Sequence, residues 1–263
     1  EAEASFRRVL KIDPGYTAAS NNLGAMLLDQ KQYTESEACF RSVLTVQPHD
    51  AVALNNLGLA LVAQGRLPDA EVTYRTALQC NPNYPNVLNN LGILFHAQGR
   101  LDEAEASYLR AIQIKPDYAE AFNSLGVTLK AQDRLSDAEA SYRTALGLLP
   151  GYVQAYVNLG VLLKEQDHLD EAEATFKRAL DINPDDADAC NNLGIILADQ
   201  GRAAEAIACF RRALKANPDY TFAHNNLLFH MNYFGDSIRT ELLESERLYG
   251  QALTRKAHTP FSS

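Results

Sequence analysis

The chain of 263 residues has no tryptophan, two methionines and four cysteines. Cys39, Cys80, Cys190 and Cys209 form no CxxC pair and have no histidine at a metal-ligand spacing. That excludes a zinc ribbon and a disulfide framework and leaves four reduced thiols. Long apolar runs are missing too. Stretches such as Val161-Leu162-Leu163 end after a few residues, far short of a bilayer span. The opening Glu1-Ala2-Glu3-Ala4 is no basic-then-apolar leader, so a cytoplasmic location is expected. Cations are in deficit, with 24 Lys+Arg against 33 Asp+Glu and a net charge of −9, whereas phosphate backbones need a clustered basic surface; nucleic acid and membrane are not expected partners. Catalytic signatures are absent. His49, His96, His168, His224, His230 and His258 make no HExxH, and there is no Gly-rich phosphate loop and no GxSxG. Acidic pairs such as Asp102/Glu103 and Asp170/Glu171 fall at expected helix starts, where they favour the helix dipole. The sequence assigns no catalytic, cofactor-binding or metal residue and reads as a non-enzyme. At 46% hydrophobic it is still too apolar for disorder.

A period organises what is there. Pro14, Pro48, Pro82, Pro116, Pro150, Pro184 and Pro218 recur every 34 residues, and Gly24, Gly58, Gly92, Gly126, Gly160 and Gly194 keep the same step. A fixed period replaces the globular-domain prior. Within residues 85–118, Leu88, Leu91, Leu94 and Phe95 make one helical face; Gly99 breaks it, and Leu101, Ala104, Tyr108, Ala111 and Ile112 make a second face that Pro116 ends. Pro68 and Pro85 sit at expected helix starts, where a missing N–H costs nothing. Each unit is thus an antiparallel pair of helices, about 13 residues each by the spacing of these breaks.

The glycine inside each first helix costs about 1 kcal/mol against alanine, so it implies close helix approach. Small residues in one phase (Ser36, Ala70, Ala104, Ala138, Ala172, Ala206) are expected opposite it, with aromatics in another (Phe6, Phe40, Tyr74, Tyr108, Tyr142, Phe176, Phe210). On these residues the chain resembles the tetratricopeptide repeat (TPR) family over residues 1–220. The family's usual tryptophan is replaced by Ser20, Leu54, Leu88, Phe122, Tyr156 and Cys190. The resemblance implies an all-α, right-handed superhelix (an α-solenoid of antiparallel helix pairs). Register then divides the chain into the second helix of a truncated repeat (1–16), six repeats (17–50, 51–84, 85–118, 119–152, 153–186, 187–220), a divergent seventh unit with an exit helix (221–255) and the start of a linker (256–263). A start in mid-unit, without a polar cap, reads as a piece of a longer protein.

The outer face reads as bland. Glu3–Arg7, Glu37–Arg41, Glu71–Arg75, Glu139–Arg143 and Glu173–Lys177 are i,i+4 pairs, each worth about 0.3–0.5 kcal/mol, that mainly keep it soluble. The first helices say more. Two residues before each glycine stand Asn22, Asn56, Asn90, Ser124, Asn158 and Asn192, and Asn226 continues the phase. The preceding phase holds Asn21, Asn55, Asn89, Asn123, Val157, Asn191 and Asn225. Asparagine is a poor helix former, so its recurrence points to a task. Stacked amides donate and accept together, which suits them to the backbone of an extended peptide. The ladder beside Leu-Gly is the expected peptide site, and its neighbour is expected to be partly inter-repeat. Six neutral hydrogen bonds at about 0.5–1.5 kcal/mol, less about 2–5 for ordering the ligand, predict micromolar binding at best. Beside this ladder lie Asp29, Glu120, Glu165, Asp188 and Asp199, with Lys130 and Lys164 one residue off the stripe. TPR domains that bind chaperone tails clamp an acidic terminus with lysine and arginine here, so an acidic-tail co-chaperone is disfavoured.

After the last regular unit, residues 224–253 read HNNLLFHMNYFGDSIRTELLESERLYGQAL. Gly235 and Asp236 mark a stop and a cap, and Ile238, Leu242, Leu243, Tyr249 and Leu253 mark an amphipathic helix. This segment is similar to the junction in O-GlcNAc transferases and their bacterial, SPINDLY-like relatives. The resemblance implies that a TPR superhelix recruits protein substrates along an asparagine ladder for a UDP-sugar-dependent glycosyltransferase. Such a catalytic domain would follow residue 263, and any UDP-sugar would serve that domain. The rival reading is a free-standing scaffold in a secretion, pilus or polysaccharide system.

Overall fold

The computed structural model describes residues 2–234, 247, 248, 250 and 251. Among them are fourteen α-helices and no strand, in two units, Glu1–Asp133 and Arg134–Ser263. In the first, α1 (Ala2–Ile12) is followed by α2 (Thr17–Asp29), α3 (Tyr33–Val46), α4 (Ala51–Ala63), α5 (Leu67–Cys80), α6 (Pro85–Ala97), α7 (Leu101–Ile114) and α8 (Ala119–Ala131). The second holds α9 (Leu135–Leu148), α10 (Val153–Glu165), α11 (Leu169–Ile182), α12 (Ala187–Asp199), α13 (Ala203–Ala216) and α14 (Thr221–Phe234). Of the exit helix expected after Asp236, Ile238, Leu242, Leu243, Tyr249 and Leu253 lie outside the described residues, as does the linker at 256–263, while Arg247, Leu248, Gly250 and Gln251 are helical.

Local chemistry sets the ends. Pro68 and Pro85 occupy the first turns of α5 and α6. Asp50 caps α4 by accepting from the N–H groups of Val52 and Ala53 at 2.9 and 3.1 Å, and Asp186 caps α12 through Ala189. Each first helix ends on a left-handed residue. Gly65, Gly99 and Gly201 take φ of 75°, 73° and 76°, while Lys31, Asp133 and Asp167 take 61°, 61° and 63° without glycine's freedom. The second helices stop one or two residues before a proline, as α3 does before Pro48 and α7 before Pro116.

Within the first unit α2 packs on α3, α4 on α5 and α6 on α7, and each second helix packs on the first helix of the next pair. The second unit repeats this with α10–α11 and α12–α13. First helices also touch one another: α2 with α4, α4 with α6, α6 with α8, α10 with α12 and α12 with α14. They therefore lie on the inner side of the stack within each unit. The core runs between the two layers, with Phe40, Tyr74 and Tyr108 buried in the first unit and Tyr142, Phe176 and Phe210 in the second.

The glycines make room for these aromatics rather than for the alanines. A Cβ at Gly92 would stand 2.6 Å from Tyr108 Cε1, and one at Gly194 would stand 2.6 Å from Phe210 Cε1; Gly24, Gly58 and Gly160 face Phe40, Tyr74 and Phe176 in the same way. The small-residue phase is nonetheless buried, and in the first repeat the Ser36 hydroxyl donates to the Gly24 carbonyl at 2.7 Å.

The outer face is not bland. All five expected i,i+4 pairs form, at 2.7–2.9 Å. Three of their carboxylates also reach an arginine of the following pair: Glu37 to Arg66 at 2.9 Å, Glu71 to Arg100 at 2.7 Å and Glu173 to Arg202 at 2.8 Å. Arg7–Glu35 and Arg143–Glu171 cross between pairs as well, at 2.8 and 2.6 Å. These charges fasten neighbours, and the carboxylates respond. Hydrogen bonds from Lys177 and Arg202 pull Glu173 down to about 2. Glu71 is lowered chiefly by Arg100. In Glu37 burial pushes up, and Gln64, Arg41 and Arg66 together outweigh it.

Candidate functional site: an asparagine-lined face on the first helices

Residues four apart on a helix share a face. Positions four before, three after and seven after each ladder asparagine therefore form one stripe with it. In α4, α6 and α8 that stripe points to solvent: Val52, Asn86 and Glu120 are exposed, as are Ala63, Ala97 and Ala131. Asn22 is exposed, and Asn56, Asn90, Ser124, Asn158, Asn192 and Asn226 are half-buried beside the core leucines. The neighbouring phase goes inward instead. Asn55, Asn89, Asn123, Val157 and Asn191 are buried, Asn21 is half-buried, and only Asn225 is exposed.

The two phases are wired together. The Asn90 amide donates to Asn55 Oδ1 of the preceding pair at 2.9 Å, and Asn226 does the same to Asn191 at 2.9 Å. Asn55 in turn donates to Asn56 Oδ1 at 3.1 Å. The buried phase thus joins repeats and orients the exposed one. Asn158 accepts from Gln154 at 3.1 Å; Asn192 donates to the Asp188 carbonyl at 2.9 Å and accepts from Lys164 Nζ at 3.2 Å. Lys164, nominally off the stripe, is turned onto the ladder.

Ser124 breaks the wiring. Its hydroxyl bonds to Tyr108, whose pKa is raised by burial. Thr128, buried where other repeats mostly have aliphatic residues, also bonds to Tyr108 and meets His96 Nδ1 at 2.9 Å. Asn89 Oδ1, the counterpart of the atoms that Asn90 and Asn226 serve, is buried and has no hydrogen-bond partner. The 34-residue period shows the serine but not this consequence, which depends on a contact between repeats.

The other reactive groups among the described residues form no catalytic or metal cluster. Among the described residues no three or more His, Cys, Asp or Glu could hold a metal ion. Burial pushes the Cys190 thiol up to about 11 and raises Cys39 and Cys209, the opposite of nucleophile activation. His224 is buried against the Pro218 carbonyl at 2.9 Å, and His230 stacks on Phe210 with centroids 5.6 Å apart. Asp188, on the stripe, accepts from the Tyr220 hydroxyl at 2.6 Å. A pocket of about 490 Å³, lined by Arg75, Leu88, Leu91, Phe95, Glu103 and Arg110 among others, holds no ladder residue. Among the described residues no helix is long and apolar enough to cross a membrane.

A helix pair repeated with glycine against aromatic, and proline between pairs, is the arrangement that family models of the tetratricopeptide repeat describe. One such model matches residues 55–119, 123–187 and 157–221, and another matches 16–83. The chain belongs to the TPR family. Solved structures agree with the TPR fold. A chain of the APC/C hetero-tetramer Cut9–Hcn1 superposes with a TM-score of 0.75 at 17% identity, over 84% of this chain and 44% of that one. The chain thus spans less than half the length of that relative. PilF of Pseudomonas aeruginosa gives 0.69 at 19%, over 80% of this chain and 95% of its own. YrrB, a TPR protein with an unusual peptide-binding site, gives 0.52 at 22%, over 70% and 95%. At these identities the likeness shows the fold alone. No curated protein matches the chain significantly.

Proposed function

We propose that this TPR chain is a non-catalytic interaction module that holds extended peptide or protein segments along the asparagine-lined face of its first helices. One observation carries the reading. Of two adjacent asparagine phases, one is buried and accepts from the next repeat, as in Asn90–Asn55 and Asn226–Asn191, while the other, which donates those bonds, lies on a solvent-facing stripe. Each such bond uses one N–H of the ladder asparagine, so the second N–H and the oxygen of Asn90 and Asn226 are left over from inter-repeat cohesion. The module needs no cofactor or metal, and its setting is the cytoplasm.

The test is calorimetry with a peptide selected by display against the wild-type chain. Changing Asn90, Asn158 and Asn192 together to alanine is expected to weaken binding at least tenfold, with helical circular dichroism preserved. Equal affinity in the variant would remove the ladder from the function.

At a finer level, the junction resemblance over residues 224–253 supports a place as the substrate-recruiting region of an O-GlcNAc-transferase-like enzyme, with UDP-sugar chemistry in a separate domain. A free-standing scaffold is the second reading, supported by PilF and YrrB, whose chains match over 95% of their own length. The full reading frame decides between them: a glycosyltransferase domain beyond residue 263 favours the first, a stop codon or an unrelated domain the second.

A further inference from the structure

The stripe that carries the ladder has a second row. Three residues after each ladder position stand Ala25, Leu59, Ile93 and Val127 in the first unit and Val161 and Ile195 in the second, all apolar. None is fully buried, and Ile93 is 46% exposed; Val52, on the same face, is 50% exposed. The helices already fill their core side with Leu57, Leu61, Leu91 and Leu94, so these side chains are not needed there. Because first helices of successive pairs touch, the row is continuous within a unit, and contiguous exposed apolar surface marks a contact site.

Charge supplies the other half. Each unit carries its own carboxylates on this stripe, exposed Asp29 and Glu120 in the first and exposed Glu165, Asp188 and Asp199 in the second. The nearby cation, Lys164, is engaged with Asn192. The stripe therefore offers amides for a backbone, aliphatic side chains for aliphatic partners and carboxylates for cations. Spacing adds a register. Packed helices lie about 8–10 Å apart, close to one polyproline II turn of three residues at about 3.1 Å each, so every third side chain of a ligand in that conformation meets the apolar row.

We propose that the groove selects extended segments with an aliphatic side chain at every third position and lysine or arginine between, and that it rejects acidic segments. This inference rests on the peptide-capture reading of the asparagines and names the ligand class of that site.

Three capped twelve-residue probes test it on the whole chain by fluorescence anisotropy: repeats of Leu-Lys-Ser, of Leu-Glu-Ser and of Ser-Lys-Ser. The first is expected to bind at least tenfold tighter than either of the others. Ile93→Asp with Leu59→Asp should cut its binding at least tenfold. If that pair lowers helical content, Val52→Asp, at a more exposed site, replaces it with the same expectation. Glu165→Lys with Asp199→Lys should shift preference toward the Leu-Glu-Ser probe. Equal binding of the three probes, or preference for the acidic one by the wild type, overturns the proposal. The triple alanine variant separates the two readings. If it weakens all three probes while they bind equally, capture by the ladder stands and this selectivity fails. If it changes nothing while the leucine–lysine preference persists, the selectivity stands and the ladder fails.

Discussion

Alanine at Gly92 is expected to destabilise the α6–α7 pair, although the same change stabilises an isolated helix. The new Cβ would lie 2.6, 2.8 and 2.9 Å from Cε1, Cζ and Cδ1 of Tyr108, where carbon contacts normally sit near 3.5–4.0 Å. Tyr108 is 1% exposed and its hydroxyl is held by Thr128 and Ser124, so the ring has nowhere to withdraw. Over-packing of this kind costs about 1–3 kcal/mol, and the gain in helix propensity returns about 1 kcal/mol. The expected net loss is about 1 kcal/mol at the centre of those ranges. Gly147 in α9 is the control, because no heavy atom lies within 4 Å of its Cβ position. There only propensity acts, and alanine should add about 0.5–1 kcal/mol. Repeat arrays can unfold in parts, so the assay is native-state hydrogen exchange of α6 and α7 amides alongside urea melts. Gly92→Ala protected as well as the wild type, or better, would refute the close-approach account of the repeated glycine.

Three further outcomes follow from particular contacts. Ser124→Asn gives Asn89 Oδ1 the amide donor that Asn55 and Asn191 have, and thermal melts should show about 1 kcal/mol of added stability; an unchanged or lower melt contradicts the inter-repeat wiring. Lys31→Gly removes a left-handed penalty of about 1–2 kcal/mol and adds back about 0.5–1 of unfolded-chain entropy, so urea melts should show a small gain. Glu173 is depressed from 4.5 to about 2, so its contribution is full above its unfolded pKa and is lost as pH falls through the folded value. Glu173→Gln should cost about 1–2 kcal/mol at pH 7, after discounting for the exposure of Lys177 and Arg202, and the difference from wild type should shrink as pH falls from 4.5 and vanish only below about 2.

The helices were legible because proline, glycine and apolar spacing act within one chain segment. The asparagine phase was legible as a recurrence, and half of its meaning was as well. What escaped depends on contacts between repeats. Arg66, Arg100 and Arg202 stand in one phase of the period, yet their reach to Glu37, Glu71 and Glu173 requires knowing how one pair stacks on the next. The bond from Asn90 to Asn55 hides for the same reason, as does the stranded Asn89 oxygen beside Ser124. Lys31, Asp133 and Asp167 show the converse. Lysine argues against a left-handed turn and aspartate merely tolerates one, and the fold imposes it because the next helix must begin there.

The central claim is that the asparagine face of the first helices contacts a bound peptide. Side-chain amide signals of the nitrogen-15-labelled chain test it most directly during titration with the Leu-Lys-Ser probe. The account predicts that Asn56, Asn90, Asn158 and Asn192 shift in proportion to occupancy while Arg75 and Arg110 stay in place. Binding that moves those arginines and leaves the asparagine amides unchanged would contradict it.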